Sequence, residues 1–361
     1  MTKTPATSST QTTTSAISGA LGHLTIHQRS QFDSFRNILA AAKLYTPGDP
    51  PSHDDTTLLR FLRARKFDPH KAHDQFASTE KWRAENDVNR LYATFPTDEM
   101  QRAKLFYPRW TGRRDKHGVP VYVYRLAALD AAMQKELHSA PERRRYERIV
   151  ALWEFMRRFT LPLCSALPHT SPAPISSVFS IIDLGGVSLG TMWSLRHHLQ
   201  QASELATAHY PETLHRIAVV NAPGFFGTVW GWIKAWFDEG TRNKVHVLDS
   251  NPGPTLLTFI DAANLPKAYG GQLDFTYEDE PNLDAPARAA LNSDAVPSGP
   301  VVFDVKEGWT RPEGYEEHRV NGLRKQSSEG GKQDQKGTES AGEGGMKPGH
   351  KRRWLNFSST N

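Results

Sequence analysis

The sequence predicts an α/β fold with a largely parallel, buried sheet, and three observations carry that prediction. Within residues 178–249, three short apolar runs rich in β-branched residues (178–184, 217–220 and 245–248) alternate with two longer helical patterns. That alternation is the signature of a β-α-β-α-β unit, because parallel strands are joined by helical crossovers and are buried on both faces. The second helical pattern is the next observation. At about 100° per residue, Phe226, Val229, Trp230, Trp232, Ile233, Trp236 and Phe237 share an arc of roughly 160°, while Gly227, Thr228, Gly231, Lys234, Ala235 and Asp238 take the other side. Three tryptophans on one side of a short helix need either a deep core or an apolar ligand. Finally, 361 residues with 38% hydrophobic and 23% charged content suffice for one large domain or two.

Composition also removes function classes. A single cysteine, Cys164, allows neither a disulfide framework nor a four-thiolate metal site and fits a reducing compartment. No apolar run approaches the ~20 residues that span a bilayer. Eleven of the first twenty residues are Ser or Thr, without the apolar segment of a secretory signal. A cytoplasmic protein, or one peripheral to membranes, is expected. The net charge of +5 is concentrated in residues 321–361, where eight Lys/Arg face four Asp/Glu. That stretch reads as a disordered basic tail. Its end, HKRRWLNF, has the mixture of cations and aromatics that suits an anionic leaflet, although such tails more often only solubilise.

Taken in order, residues 1–24 read as a disordered leader and 25–89 as a small helical unit. Phe32, Phe35, Ile38, Leu39 and Ala42 keep i, i+3, i+4 spacing, and Pro47–Pro51 ends that helix. Asp54 and Asp55 can cap a second helix whose apolar side is Leu58, Leu59, Phe61 and Leu62. Pro69 begins a third. Arg60, Arg63, Arg65 and Lys66 crowd the second helix and repel one another unless an anion offsets them. The main α/β domain is expected over 100–283. It opens with polar turns at 106–110 and 113–118, then a strand at 119–126 and a long amphipathic helix at 142–159. Residues 161–176 hold four prolines and read as loop. A C-terminal extension, 284–320, contains one more strand-like run at 301–305.

Two motifs compete for catalytic roles. GVSLG at 186–190 matches the G-x-S-x-G nucleophile elbow and lies between a strand and a helix, so a serine hydrolase (lipase- or esterase-like) using Ser188, with Asp249 or Asp261 and His318, is the alternative reading. Against it, no HGGG-type oxyanion segment precedes the motif, and Gly185–Gly186 lengthen the turn. His197, His198, His209 and His215 lack H-x-x-x-H spacing and read as surface histidines. No phosphate loop, dinucleotide fingerprint or nucleic-acid module is present, so neither a cofactor, a metal nor nucleic acid is expected.

Eight short motifs occur in an order that resembles one family. They are LLRFLRARKFD (58–68), EKWR (80–83), D-x-x-G-x-PVY (115–122), LP-x-C-S (161–165), I-D-L-x-G-V-S (182–188), YPE (210–212), NAP-x-x-F (221–226) and NLP-x-x-YGG (264–271). Together they resemble the CRAL-TRIO lipid-binding family over about residues 27–275, most closely its fungal phosphatidylinositol transfer (Sec-fourteen-like) branch. The resemblance implies a sheet flooring an apolar pocket closed by a gate helix, here Phe225, Phe226, Val229, Trp230, Trp232, Ile233, Trp236 and Phe237. A non-enzymatic carrier of this kind exchanges phospholipid between membranes and can present phosphatidylinositol to lipid kinases. Extracting a two-chain phospholipid exposes roughly thirty methylenes, on the order of 25 kcal/mol at ~0.8 kcal/mol each, so a dry cavity with a mobile lid is required.

The resemblance also implies site residues. Phosphatidylinositol's headgroup would meet Arg65, Lys66, Asp115, Glu212, Thr241 and Lys244, whose cations suit a phosphodiester and whose acids and hydroxyl suit inositol hydroxyls. A second lipid would meet Tyr122 and Ser180, with Thr111 and Val178 standing where the family has a tyrosine and a serine. Those two departures weaken recognition of phosphatidylcholine, which leaves another hydrophobic ligand such as a sterol or haem open. The protein would then be a monomer making transient contact with membrane surfaces, at Golgi or endosomes by analogy.

Overall fold

The computed structural model describes residues 19–316 except Asp238. Its N-terminal helices are α1 (Ile26–Ala41), α2 (Asp55–Ala64) and α3 (Pro69–Glu85). Each starts where its sequence supplies a cap: Thr25 and Gln28 form a capping box on α1, Asp54 accepts from the Thr57 N–H, and Asp68 accepts from His70 and Lys71 just before Pro69. Phe32, Phe35, Leu39, Leu58, Leu62 and Phe76 form their shared core. Residues 19–24 correct the expected leader. They form a turn whose partly buried Leu21 and Leu24 pack against that core.

Short helices α4 (Val88–Ala93) and α5 (Thr97–Ala103) lead to a five-stranded sheet of order β1-β2-β3-β4-β5. Strand β1 (Arg109–Arg114) runs antiparallel to β2 (Pro120–Arg125); β3 (Val178–Asp183), β4 (Leu214–Val220) and β5 (Val245–Val247) continue parallel to β2. Between β2 and β3 lie α6 (Ala131–Ser139), α7 (Glu142–Phe155), a π turn at Met156–Thr160 and α8 (Leu161–Ala166). Helix α9 (Leu189–His209) joins β3 to β4. The aromatic helix α10 (Phe226–Ile233), a 3₁₀ turn (Lys234–Trp236) and α11 (Glu239–Arg242) join β4 to β5. After β5 come α12 (Gly253–Phe259), α13 (Ala285–Leu291) and a hairpin of β6 (Val302–Asp304) and β7 (Gly308–Thr310).

Two readings of the sequence are corrected. The polar turns at 106–118 contain β1, hidden because RWTGRR has no apolar alternation. Its arginines are buried by specific partners instead: Arg109 donates to the Tyr277 carbonyl, and Arg114 donates to the Pro168 carbonyl and Asp284. Gly112, at φ +84° with Asn282 backbone 2.5 Å from where a Cβ would sit, supplies the kink in that strand. The proline-rich stretch begins as helix, since Pro162 falls in the first turn of α8, where a missing N–H costs nothing.

Three of the ordered motifs meet at one carboxylate. Asp183, at the end of β3, accepts from the Gly185 N–H (2.9 Å), Asn221 Nδ2 (2.9 Å) and the Tyr269 hydroxyl (3.1 Å). Asn221 begins NAP and Tyr269 belongs to NLP-x-x-YGG, so these motifs are joints that fix the strand ends. The C-terminal stretch also belongs to the main core through Leu291, Val301 and Phe303, and the Tyr92 hydroxyl donates to the Val301 carbonyl at 2.6 Å. The basic tail expected at 321–361 lies outside the described residues.

Candidate functional site

An apolar cavity of about 270 Å³ lies between the sheet, α7, α9 and the aromatic helix. Its floor is the face of β2–β5 carrying Tyr122, Tyr124, Val178, Ser180, Ile217 and Val245. Ile149 and Trp153 of α7 and Leu199 and Ala202 of α9 form walls. Phe226, Trp230, Ile233, Trp236 and Phe237 close it as a lid, and Trp230 stacks between Phe226 and Phe237 with centroids 6.3 Å from each. Among the described residues no Lys, Arg, Asp or Glu lines it. The volume falls below the ~300–1,000 Å³ usual for ligand pockets, so a two-chain lipid enters only if the lid moves outward.

Not all of the expected lid residues face inward. Val229 is buried and Phe225 packs on the core, neither on the cavity. Trp232 points out: it is 51% exposed and meets Trp193 of α9 edge to face, centroids 6.4 Å apart. It sits two residues from Trp230, about 200° around the helix, at the margin of the apolar arc. Nothing lies within 4 Å of a Cβ built on Gly227 or Gly231.

Of the second-lipid positions, Tyr122, Ser180 and Val178 line the cavity. The Tyr122 hydroxyl donates to Thr160 Oγ1 at 3.3 Å, and burial pushes its pKa up. Thr111 is a correction. It is fully buried on β1, away from the cavity, and its hydroxyl donates to the Val121 carbonyl at 3.0 Å, which holds the kinked edge of the sheet.

The expected headgroup residues gather in part. Glu212, in the left-handed conformation at φ 58°, takes Lys244 Nζ at 3.1 Å and faces Arg63 at 3.9 Å. Lys66, also left-handed, reaches Glu239 of α11 at 3.3 Å, two residues before Thr241. Arg65 caps α2 beside it, its guanidinium within 3.5 Å of the Ala64 carbonyl. Asp115 stands in the β1–β2 turn, where its carboxylate accepts the His117 and Val119 N–H groups. Burial pushes its pKa up against those two bonds, and Arg216 also draws it down. Arg216 escaped the sequence reading, Arg63 was noted only among the crowded cations of the second helix, and His215 was read as a surface histidine. Burial pushes His215 down to about 4, with the positive charges of Arg216, Lys244, His117 and Arg63 adding to the shift. The adjacency of His215–Arg216 to YPE was the available signal. Leu214 and Val245 line the cavity while His215 and Lys244, their chain neighbours, belong to this basic cluster.

His198 and His209 are likewise not surface histidines. His198 lines the cavity, and His209 stacks on Trp82 at 4.0 Å; burial pushes both down to about 4. Deeper still, Glu154 of α7 is fully buried and accepts from Arg83 (2.8 Å), Arg158 (2.7 Å), Arg157 (3.0 Å) and the Tyr210 hydroxyl (2.8 Å). This network ties α3 to the strand-end segment that carries Glu212.

The hydrolase alternative has no geometry. Ser188 is the N-cap of α9: its Oγ accepts the Thr191 N–H at 3.0 Å, and its backbone is ordinary and extended (φ −87°, ψ 160°) rather than a strained elbow. His318 lies outside the described residues. Among the described residues no group of His, Cys, Asp and Glu could hold a metal, and no helix is long and apolar enough to cross a membrane.

Comparison with known proteins agrees with this architecture. The CRAL/TRIO domain model matches residues 107–271 and the CRAL/TRIO N-terminal domain model matches 31–78. The Sec14 cytosolic factor of Schizosaccharomyces pombe is 36% identical over 253 residues, covering 70% of this chain and 85% of that protein. The phosphatidylinositol/phosphatidylcholine transfer protein SFH7 of Arabidopsis thaliana is 36% identical over 242 residues, 66% of this chain and 42% of that protein. The crystal structure of Sfh5 shares the fold at a TM-score of 0.51 and 18% identity, covering 70% of this chain and 89% of that one. With both domain models matched in order and a relative of this identity covered over most of its length, the chain belongs to the CRAL-TRIO family.

Proposed function

We propose that this protein is a phosphatidylinositol transfer protein, which takes one phospholipid from a bilayer into the cavity beneath α10 and releases it at another. The observation that carries the reading is a cavity with no charged lining residue among the described residues, closed by an aromatic helix, with a basic cluster at the strand ends beside it. Hydrocarbon needs the first, and the phosphodiester with its inositol needs the second. Arg63, Lys244 and Arg216 would pair with the phosphate, while Glu212, Asp115 and Thr241 would meet ring hydroxyls. Lys66 and Arg65 would close that site from α2. Relatives named as phosphatidylinositol/phosphatidylcholine transfer proteins support the substrate class.

Phosphatidylcholine would be held less well. Thr111 is outside the cavity and Val178 offers no hydroxyl, so only Tyr122 and Ser180 remain for its headgroup. Transient membrane contact would fall on the outer side of the lid, where Leu189, Trp193 and Trp232 are exposed and Arg196 lies over the Trp193 ring at 4.1 Å. Tryptophan with a neighbouring cation suits the headgroup layer. Action as a monomer at Golgi or endosomal membranes, and presentation of phosphatidylinositol to a lipid kinase, extend the same reading.

Mass spectrometry of lipids that co-purify with the intact protein tests it. Phosphatidylinositol is expected. Its absence, or vesicle-to-vesicle transfer unchanged in a Lys66→Ala, Lys244→Ala double variant, overturns the headgroup assignment.

A further inference from the structure

The lid is fastened differently at its two ends. Its N-terminal end continues from a fixed joint: Asn221 Nδ2 donates to the Asp183 carboxylate at 2.9 Å, and the Phe226 N–H donates to the Pro223 carbonyl at 2.8 Å. Phe226 and Val229, in the first turn of α10, are buried. Beyond Val229 the burial runs out. Trp230 and Ile233 are half-buried, Trp232 is exposed, and none of Lys234, Ala235 and Trp236 in the 3₁₀ turn is buried. The last carbonyls of a helical segment also lack donors from within it. That of Trp236 is met from outside, by Ser203 Oγ of α9 at 3.3 Å. Ser203 is 8% exposed and stands in the cavity wall. A serine inside a helix ordinarily returns its hydroxyl to the carbonyl one turn earlier, here that of Leu199. Ser203 gives its one proton to the lid instead.

We infer that Ser203 is the latch of the lid: its bond to the Trp236 carbonyl holds the C-terminal end shut, and the lid opens from that end about the turn at 223–226. Ser203 is a positioning residue here, acting on the cavity through Trp236. The other ties at that end yield easily. Lys66 and Glu239, 3.3 Å apart, are both exposed, where an ion pair contributes little. The Trp193–Trp232 contact is edge to face, and both rings are exposed. Breaking the latch strands neither partner, because water reaches the Trp236 carbonyl as the end lifts and the Leu199 carbonyl can take the hydroxyl proton. Opening at this end therefore forfeits one hydrogen bond, a factor of about two to ten in the equilibrium. Opening at the other end would strip Phe226 and Val229 from the core. The inference rests on reading α10 as a lid over a lipid cavity, and it adds which end moves and what restrains it.

Amide hydrogen exchange on the full chain, read by mass spectrometry without vesicles, tests it. In the wild-type protein 233–237 is expected to exchange faster than 226–229, and the reverse order overturns the inference whether or not a variant folds. In Ser203→Ala, exchange over 233–237 is expected to quicken about two- to tenfold, the factor by which opening gains. Exchange over 226–229 and over α9 is expected to stay at the wild-type rate, which a general loosening around a truncated side chain would not allow. Ser203→Thr keeps the hydroxyl and is expected to exchange as the wild type does. Unchanged exchange over 233–237 in Ser203→Ala, or an increase spread evenly from 226 to 237, overturns the inference. So does Ser203→Thr exchanging as fast as Ser203→Ala. Phosphatidylinositol transfer between vesicles is measured on the same wild-type preparation. Its absence would sink the transfer reading and leave the exchange pattern to decide this one.

Discussion

Replacing Gly227 and Gly231 of α10 by alanine alters the lid without crowding it, since nothing lies within 4 Å of either new methyl and neither glycine has a positive φ. Alanine in a helix interior is favoured over glycine by up to about 1 kcal/mol, so the pair stabilises the closed helix by about 2 kcal/mol. Should the lid open by unwinding, that stabilisation is absent from the open form and raises the barrier by the same amount, slowing transfer about 30-fold. The assay is vesicle-to-vesicle transfer of a fluorescent phosphatidylinositol, run beside amide hydrogen exchange across residues 226–233. Slower exchange with slower transfer is expected. Slower exchange with unchanged transfer would refute the reasoning, because the lid would then swing as a rigid body about its ends.

Glu154→Gln removes the fully buried anion that Arg83, Arg157 and Arg158 share, and a loss of about 3–5 kcal/mol is expected by urea denaturation. Burial alone would raise the Glu154 carboxyl, but Arg157, Arg83 and Arg158 hold it well below its ordinary value of 4.5. Its contribution is therefore complete above that value and is given up as pH falls beneath it. The histidines act at milder pH. His198, His209 and His215 bind protons near 4 when folded and near 6.5 when unfolded, so unfolding takes up as many as three protons between those values. Stability is full above pH 6.5 and falls through that window; denaturation series at pH 7, 6 and 5 measure it, and a flat profile would remove these residues from the account. Arg216→Ala, which removes a positive charge that acts on both Asp115 and His215, is expected to weaken phosphatidylinositol transfer by about tenfold while retaining the fold, as read by circular dichroism.

The parallel strands and the crossover helices were legible because their signal is local: β-branched runs and 3.6-residue spacing lie within a few residues of one another. Strand β1 was not, since what buries Arg109 and Arg114 is Tyr277 and Asp284, about 170 residues away. The lid showed itself as an aromatic arc, but which ring faced in depended on α9, and Trp232 at the margin of the arc turned outward. The headgroup positions Glu212 and Lys244 came from motif order, and the two meet. His215 and His198 were misread as surface residues because a histidine's spacing carries no record of what a strand or a helix wall places over it. Thr111 failed for a related reason: a kinked edge strand turned its hydroxyl onto the sheet.

The Trp193–Trp232 contact joins the α9 wall to the proposed lid, with its rings 6.4 Å apart and 79° to one another. An outward swing of the lid would separate the two indoles, so this pair would serve as an optical indicator of the proposed opening. Near-ultraviolet circular dichroism and acrylamide quenching then read lid position on unlabelled protein, and Trp193→Phe supplies the blank.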